Sequence, residues 1–419
     1  MSSANRPRPS SRIDAALDPT ATWPDYCVTT EPGQWVPDIL GDGFSYTSLP
    51  LGADDEGELT ATLIRYKPES PAMALESNGH AQAKVGWLGK LAEKIATFDS
   101  RQTLVTQQAT VQTPQVRGFV LAIHGWSDYF YNSELAEYWT SRGYSFYAID
   151  LRRYGRSLRA HHSEPGFTTD LNEYDADISA ALETIRDLEP AGLPGLCVAH
   201  STGGLIASLW VNRNPQAFSA LILNSPWLEM QGSYLVRYAT QGLVEPIAKR
   251  RPRASLQLLE FDHYWSSLSR LAHGSWDLHP IWRPPISFPP TAGWMSAILA
   301  GHKEVAKGLE IKIPILVITS RSTHLSTSFD ESMLHNDSVI EVQVVRERSL
   351  RLGSEITNAI IDDSMHDVFT SLPIPRAQAY ESVDRWASGY LPMGISLSPG
   401  SITSASAPGS NDAVGRSNV

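Results

Sequence analysis

One ten-residue stretch, residues 196–205, restricts the fold of this chain more than any other. It reads Leu-Cys-Val-Ala-His-Ser-Thr-Gly-Gly-Leu, and the apolar residues 195–199 predict a short buried strand. Residues 204–211, which follow, predict a helix. Ser201 stands between the two, with one small residue two positions before it and another two positions after it. This spacing is typical of a sharp strand-to-helix turn, because only small side chains fit against the neighbouring backbone there.

The same turn determines what Ser201 can do chemically. Ala199 occupies the first small position, where glycine is usual, and Gly203 occupies the second. The turn directs backbone N–H groups and a helix N-terminus towards the space beside the serine hydroxyl, where they stabilise an oxyanion. We therefore interpret Ser201 as a candidate nucleophile rather than as a helix cap.

Strands and helices alternate along much of the chain, which indicates an α/β fold with a mostly parallel, doubly wound sheet. The predicted strands are residues 44–51, 58–66, 118–123, 144–149, 195–199, 218–223, 313–319 and 339–345. The predicted helices are residues 81–98, 133–142, 174–188, 204–211 and 375–390.

Composition divides the chain into a core, an insertion and two tails. Residues 1–25 and 393–419 are poor in large apolar residues and are predicted to be disordered tails. The first part of the core is predicted at 26–226, with an insertion at 67–115, and the second part at 313–392. Residues 227–312 interrupt the strand–helix alternation and are predicted to form a helical cap between the two parts.

The predicted cap is rich in aromatic residues. It holds five of the 12 tryptophans of the chain, together with a proline cluster at 280–290. This density predicts a largely apolar pocket under the cap. Trp227, Trp265 and Trp294 are candidate substrate-binding residues, although tryptophans at these positions would equally hold a helical cap together.

Several classes of partner and cofactor are excluded on composition and motifs. The net charge of −11, with no basic stripe, argues against nucleic acid. The two cysteines, Cys27 and Cys197, do not support a disulfide framework. Neither an N-terminal apolar stretch nor a run of 18 apolar residues occurs, so we expect a cytoplasmic protein without stable membrane insertion. Metal-binding and nucleotide-binding motifs are missing as well, so no metal and no cofactor is predicted.

Four short motifs occur in a characteristic order. They are residues 124–126 (His-Gly-Trp), 150–157 (Asp-Leu-Arg-Arg-Tyr-Gly-Arg-Ser), the turn around Ser201, and 364–369 (Ser-Met-His-Asp-Val-Phe). With these motifs the chain resembles the α/β-hydrolase superfamily. Within it, the chain is most similar to the branch of monoacylglycerol lipases, lysophospholipases and serine aminopeptidases. The resemblance covers roughly residues 40–392.

The resemblance implies a role for four residues by position. Ser201 would be the nucleophile and His366 its general base, which later protonates the leaving group. The backbone N–H groups of Trp126 and Thr202 would form the oxyanion hole. Arg153 stands where the family usually has glycine, so that loop is expected to differ in shape.

The acid of the triad is where the sequence departs from the family. The resemblance implies a carboxylate soon after the strand at 313–319, but residues 320–324 read Ser-Arg-Ser-Thr-His. Asp330, Glu331 and Asp337 lie farther along. Asp337, followed by the apolar pair Val339-Ile340, is the preferred candidate, and Asp330 is the alternative.

The function implied by the resemblance is cofactor-free cleavage of a small ester with an apolar acyl or aromatic part, through an acyl-enzyme. Other reactions of the same triad stay open, namely acyl transfer, lactone opening, carbon–carbon bond hydrolysis and peptide hydrolysis. A ligand-binding protein on a hydrolase scaffold is the remaining alternative, because the acid is displaced.

Overall fold

The computed structural model describes residues 20, 22–68, 116–230, 234–256 and 262–391. The predicted helix at 81–98, the C-terminal tail and most of the N-terminal tail lie outside these residues.

Within the described residues, nine strands form one sheet. The strands are β1 (Val36–Pro37), β2 (Phe44–Asp54), β3 (Gly57–Tyr66), β4 (Gly118–Ile123), β5 (Tyr144–Asp150), β6 (Gly195–His200), β7 (Ala220–Asn224), β8 (Ile315–Ser320) and β9 (Ile356–Ile361). Their order across the sheet is β1-β2-β3-β5-β4-β6-β7-β8-β9. The first three neighbouring pairs are antiparallel, and every pair from β5 to β9 is parallel. The predicted mostly parallel sheet is thereby confirmed.

Helices cover both faces of this sheet. They are α1 (Ser133–Thr140), α2 (Tyr174–Leu188), α3 (Thr202–Arg213), α4 (Tyr234–Arg250), α5 (His263–Leu268), α6 (Ala292–Lys307), α7 (Val342–Ser349) and α8 (Pro373–Tyr390). Helices α2, α3, α6 and α7 contribute to one apolar cluster, and α1 and α8 contribute to the other. Every residue of β4, β6, β7 and β8 is buried, as expected for strands covered on both faces.

The prediction of a strand at residues 339–345 is wrong. The chain turns at Asp337, whose Oδ1 accepts the N–H groups of Val339 and Ile340, each at 2.8 Å. Helix α7 follows, and it buries Val342 and Val345 at helical spacing. Packing on the core therefore overrides the strand preference of the valines. The last strand is β9, at the edge of the sheet, where it is only partly buried.

Part of the predicted N-terminal tail packs against the rest of the protein. Residues 22–25 are described and pack against the segment between α5 and α6. The Pro24 carbonyl accepts a hydrogen bond from His279 Nε2 at 2.9 Å, and the Asp25 carbonyl accepts one from Trp282 Nε1 at 3.0 Å. Two backbone carbonyls thus attach this stretch to the predicted cap.

Helices α4, α5 and α6 lie between β7 and β8, where the sequence predicts a cap. Gly301 of α6 sits against Leu205 and Leu209 of α3, so this helix packs directly on the core. None of the described helices has both the length and the apolar character needed to cross a membrane.

Candidate active site

Ser201 occupies a strained turn between β6 and α3. Its φ of 51° and ψ of −119° lie outside the usual regions for a residue with a side chain. A Cβ atom on Gly203 would lie 2.2 Å from the carbonyl oxygen of His124, which explains the small residue at this position. The Ser201 N–H donates to the Asn224 carbonyl at 3.0 Å, so the end of β7 supports the turn.

The structure brings Ser201, His366 and Asp337 together. His366 Nε2 lies 3.0 Å from Ser201 Oγ, and His366 Nδ1 lies 2.8 Å from Asp337 Oδ2. All three side chains are buried. Because Asp337 accepts the Nδ1 proton, Nε2 is free to accept the proton of the serine hydroxyl. Such an arrangement activates a hydroxyl as a nucleophile.

A loop returns Asp337 to the tip of β8. The Asp337 N–H donates to the Ser322 carbonyl at 3.0 Å, and the His324 N–H donates to the Asp337 carbonyl at 2.8 Å. The chain therefore leaves the tip after His324 and comes back at Asp337, beside its point of departure. Ile340 anchors the return in the core with 1% of its surface exposed.

Asp330 lies elsewhere on the same loop. Its Oδ2 is 2.7 Å from His324 Nε2, and 42% of its side chain is exposed. Its Oδ1 accepts the N–H of Ser332 at 2.9 Å and so begins a short 3₁₀ turn. Of the two candidate acids, Asp337 alone contacts His366.

The two residues predicted for the oxyanion hole flank Ser201. Thr202 is the first residue of α3, where backbone N–H groups have no acceptor within the helix. Trp126 follows Gly125, on which a Cβ atom would lie 3.1 Å from Ser201 Cβ. His124 fixes this loop, because its Nδ1 donates to the Gly125 carbonyl at 2.7 Å and its Nε2 accepts the Leu151 N–H at 3.0 Å.

A cavity of about 410 Å³ opens above Ser201 and His366. Trp227, Trp265 and Trp294 do not line it, although the sequence favours them as substrate-binding residues. The ring centre of Trp294 lies 3.8 Å from that of Trp126, with the two rings tilted by 38°, and 5.9 Å from that of Trp227, on which it stacks. Trp265 packs on the other apolar cluster. The predicted cap contributes other side chains to the lining, namely His263, Tyr264, Arg283 and Ser287. The lining thus combines these polar side chains with the apolar side chains of Trp126, Leu325 and Val339.

Arg153 has a left-handed backbone conformation, which glycine adopts more readily than any other residue. Its φ is 64°, and its guanidinium pairs with Asp54 and Glu56 at the hairpin between β2 and β3. This side chain is buried, so the ion pairs compensate for its desolvation. The side chain of Arg153 thus attaches the hairpin between β2 and β3 to this loop.

Sequence reasoning missed a polar group beside Ser201 and His366. Asn224 Nδ2 donates to Asp367 Oδ1 at 2.5 Å, and Asn224 Oδ1 accepts the Val368 N–H at 3.1 Å. The Asn224 carbonyl also lies 3.1 Å from His200 Nδ1, and burial lowers the pKa of His200. The one signal in the sequence is an asparagine at the carboxyl end of a buried strand, next to the turn around Ser201.

Comparison with known proteins places these motifs in a family. The family model described as serine aminopeptidase, S33, matches residues 114–370. This range includes Trp126, Ser201, Asp337 and His366.

Two curated relatives match a shorter part of the chain. Phospholipase YtpA of Bacillus subtilis is 35% identical over 115 residues, which are 27% of this chain and 41% of that relative. A monoacylglycerol lipase of Mycolicibacterium smegmatis is 31% identical over 121 residues, which are 28% of this chain and 41% of that relative. The chain thus spans less than half the length of the curated relatives that it matches.

Solved structures show the same fold at low sequence identity. A structure described as a lipase in the open form aligns over 83% of this chain and 99% of that chain. Its TM-score is 0.51 at 15% identity, so the similarity concerns the fold alone.

Proposed function

This chain belongs to the serine aminopeptidase S33 family, and from that membership we propose that it is a serine hydrolase that cleaves esters with an apolar acyl part. Ser201 is the nucleophile, His366 the general base and Asp337 the acid of the triad. Trp126 and Thr202 supply the oxyanion hole. No metal or cofactor takes part in this scheme.

The reaction has two halves. Ser201 Oγ attacks the ester carbonyl while His366 Nε2 takes its proton, and Asp337 stabilises the imidazolium that results. The oxyanion accepts hydrogen bonds from the N–H groups of Trp126 and Thr202. His366 then protonates the departing alcohol, which leaves an acyl group on Ser201. Water, activated by the same His366, releases the acid and restores the hydroxyl.

The observation that carries this proposal is the unbroken chain of contacts from Asp337 through His366 to Ser201. The two distances, 2.8 Å and 3.0 Å, lie within hydrogen-bond range, and Ser201 sits on the strained turn that presents its hydroxyl to the cavity. The names of the two curated relatives, a phospholipase and a monoacylglycerol lipase, favour a lipid ester as the substrate.

Labelling with a fluorophosphonate, together with a panel of 4-nitrophenyl esters of increasing chain length, tests the proposal. We expect the wild type to be labelled at Ser201, and Ser201→Ala to lose labelling and to lower kcat by roughly 10⁴- to 10⁶-fold. Ser388→Ala, at an exposed serine of α8, is the matched control and should behave as wild type. Ester turnover by Ser201→Ala within tenfold of wild type would contradict the proposal.

Added acceptors separate the related reactions. A methanol series measures acyl transfer, because methanol competes with water for the same acyl-enzyme. A panel of amino-acid 4-nitroanilides measures amide cleavage. Release of free acid from esters, at rates well above those for the amides, is the result that the proposal requires.

A further inference from the structure

The lining of the cavity above Ser201 separates into two chemically different groups. One group is polar and consists of Asp128, Tyr264 and Arg283, which contact one another. The other comes from the loop that carries Asp337 and presents the apolar side chains of Leu325 and Val339 beside Ser326 and Ser338. Leu325 is 53% exposed, so this apolar part reaches the surface. A ligand that contacts both groups has a polar part on one side of its ester and an apolar part on the other side.

Arg283 is the centre of the polar group. Its Nη1 pairs with Asp128, and each of these two side chains is only 6% exposed. The guanidinium carbon also lies 5.1 Å from the centre of the Tyr264 ring and 5.6 Å from that of the Tyr131 ring. Such contacts with aromatic faces stabilise a buried cation and hold it in one orientation.

Two donors of this group lack an acceptor. Among the described residues, Arg283 Nε and the Tyr264 hydroxyl are buried and have no hydrogen-bond partner. Buried donors without partners are unfavourable, so in working proteins they are usually satisfied by a ligand or by ordered water. Tyr264 also lies against the site itself, because its ring centre is 5.2 Å from that of His366.

The geometry of the guanidinium favours an anion with two oxygens. Asp128 contacts Nη1, which leaves the side edge formed by Nε and Nη2. Two parallel N–H groups on that edge match two oxygens of a phosphate or a carboxylate. Asp128 also accepts the Tyr129 N–H at 2.9 Å, so its charge is shared between two donors.

We infer that the cavity binds an ester lipid whose alcohol part carries a phosphate anion, bound by Arg283 and Tyr264, while the acyl chain passes over Leu325 and Val339. This inference rests on the proposed function and specifies its substrate. A monoacyl glycerophosphate has this chemistry, because a single ester joins its apolar chain to a phosphate-bearing alcohol.

Three substrates with the same dodecanoyl chain test the inference below their aggregation concentrations. They are 1-dodecanoylglycerol 3-phosphate, 1-dodecanoylglycerol and methyl dodecanoate, and release of dodecanoic acid gives kcat/KM for each. We expect the wild type to prefer the phosphate-bearing ester over 1-dodecanoylglycerol by at least tenfold, and methyl dodecanoate to be the poorest substrate. Equal or lower kcat/KM for the phosphate-bearing ester would overturn the inference.

Variants of the ion pair make the test specific for phosphate recognition. Asp128→Asn keeps an oxygen acceptor for the Tyr129 N–H but removes the competing anion, so the preference ratio should rise. The double variant Asp128→Asn/Arg283→Met removes both charges without leaving one of them unpaired, and the ratio should fall at least tenfold. A purely structural ion pair would change the turnover of both substrates alike and leave the ratio constant, which would overturn the inference.

Two controls separate this inference from the proposed function. Arg270→Met removes an exposed arginine of the same segment, whose side chain is 58% exposed, and should leave the ratio unchanged. Fluorophosphonate labelling of Ser201 reports on the triad independently of the head group. If Ser201 is labelled and 1-dodecanoylglycerol is cleaved without a phosphate preference, only the phosphate site fails. If Ser201 is not labelled and no ester is cleaved, the proposed function fails, and this inference fails with it.

Discussion

Asp337 and Asp330 share one loop but have different surroundings, and this difference gives a test at the scale of single residues. Asp337 is fully buried and accepts the Nδ1 proton of His366, whereas Asp330 is exposed and contacts His324. Asp337→Asn should lower kcat for a 4-nitrophenyl ester on the order of 10⁴-fold, because the amide favours the wrong tautomer of His366. Asp330→Asn is the matched control and should stay within about threefold of wild type, which is a change of less than about 1 kcal/mol in the barrier.

Steady-state kinetics on the two purified variants decides the assignment. Equal, small losses in both would mean that another group orients His366. A large loss in Asp330→Asn alone would transfer the role to Asp330 and contradict the geometry of the loop.

Gly203 offers a second test at this scale, on the turn itself. A methyl group at this position would lie 2.2 Å from the His124 carbonyl oxygen. Since this oxygen belongs to the backbone, it cannot move away as the end of a flexible side chain could. Gly203→Ala should therefore displace either Ser201 or the His124 loop, with loss of fluorophosphonate labelling or a fall in the unfolding free energy of about 2 kcal/mol or more. The control is Gly242→Ala in α4, where nothing lies within 4 Å and alanine should be neutral or stabilising. Normal labelling and stability of Gly203→Ala would show that the turn tolerates a wider approach.

At the scale of elements, Asn224 couples the turn around Ser201 to the loop that carries His366. Its backbone carbonyl, at the end of β7, accepts the Ser201 N–H. Its side chain holds Asp367 and the Val368 N–H, in the residues directly after His366. One buried residue thus contacts two elements that must lie in register for Nε2 to reach Oγ. We propose Asn224 as a positioning residue.

An exchange of the two side chains tests this coupling. Asn224→Asp places two carboxylates against each other and should lower kcat by about tenfold to a hundredfold, with little effect on KM. It should also move the pH–rate profile, because one of the two carboxylates then gains a proton. The double variant Asn224→Asp/Asp367→Asn restores one carboxylate and one amide and should recover most of kcat and the original profile. Failure of the exchange to recover activity, with both variants folded, would contradict the proposed coupling.

For the whole molecule, the sequence predicts what depends on local pattern and fails where distant packing decides. The buried strands from β4 to β8 are apolar runs bounded by turns, so each could be predicted within a few residues. Residues 339–345 have the composition of a strand but form a turn and the start of α7, because Asp337 caps the turn and the core accepts Val342 and Val345. The preference of valine for strands was weaker there than the packing of the helix on the core.

The candidate site shows the same division. The motifs around Ser201 and His366 place them at the ends of strands, which parallel pairing brings to one edge of the sheet. The loop to Asp337 could be inferred only from the missing carboxylate at the tip of β8. The cavity lining could not be predicted, because whether Trp294 or Arg283 faces Ser201 depends on how the segment between β7 and β8 packs. In the structure, Trp294 is buried in the core against Trp126 and Trp227.

Three buried histidines make the stability of the whole molecule depend on pH. Burial lowers the pKa of His162, His279 and His302 to about 4 from an ordinary value of 6.5, so all three are neutral at pH 7 in the folded protein. Between pH 6.5 and 4 the unfolded chain binds more protons than the folded chain at these positions. These three histidines therefore lower the free energy of unfolding as the pH falls through this range, by up to about 2 kcal/mol each at pH 5.

His302 is the residue on which to measure this dependence, because it is 3% exposed and its one hydrogen bond, at 2.9 Å, goes to the Trp227 carbonyl. His302→Asn removes the titrating group, so the difference in unfolding free energy between pH 7 and pH 5 should shrink by about 1 to 2 kcal/mol relative to wild type. Urea denaturation at the two pH values measures the unfolding free energies. Because only the change between pH 7 and pH 5 is compared with that of the wild type, the stability lost with the hydrogen bond cancels. His335→Asn, at an exposed histidine, should leave the difference unchanged. If His302→Asn kept the full pH dependence of the wild type, His302 would gain its proton at the same pH in the folded and the unfolded protein. Its burial would then not control acid stability.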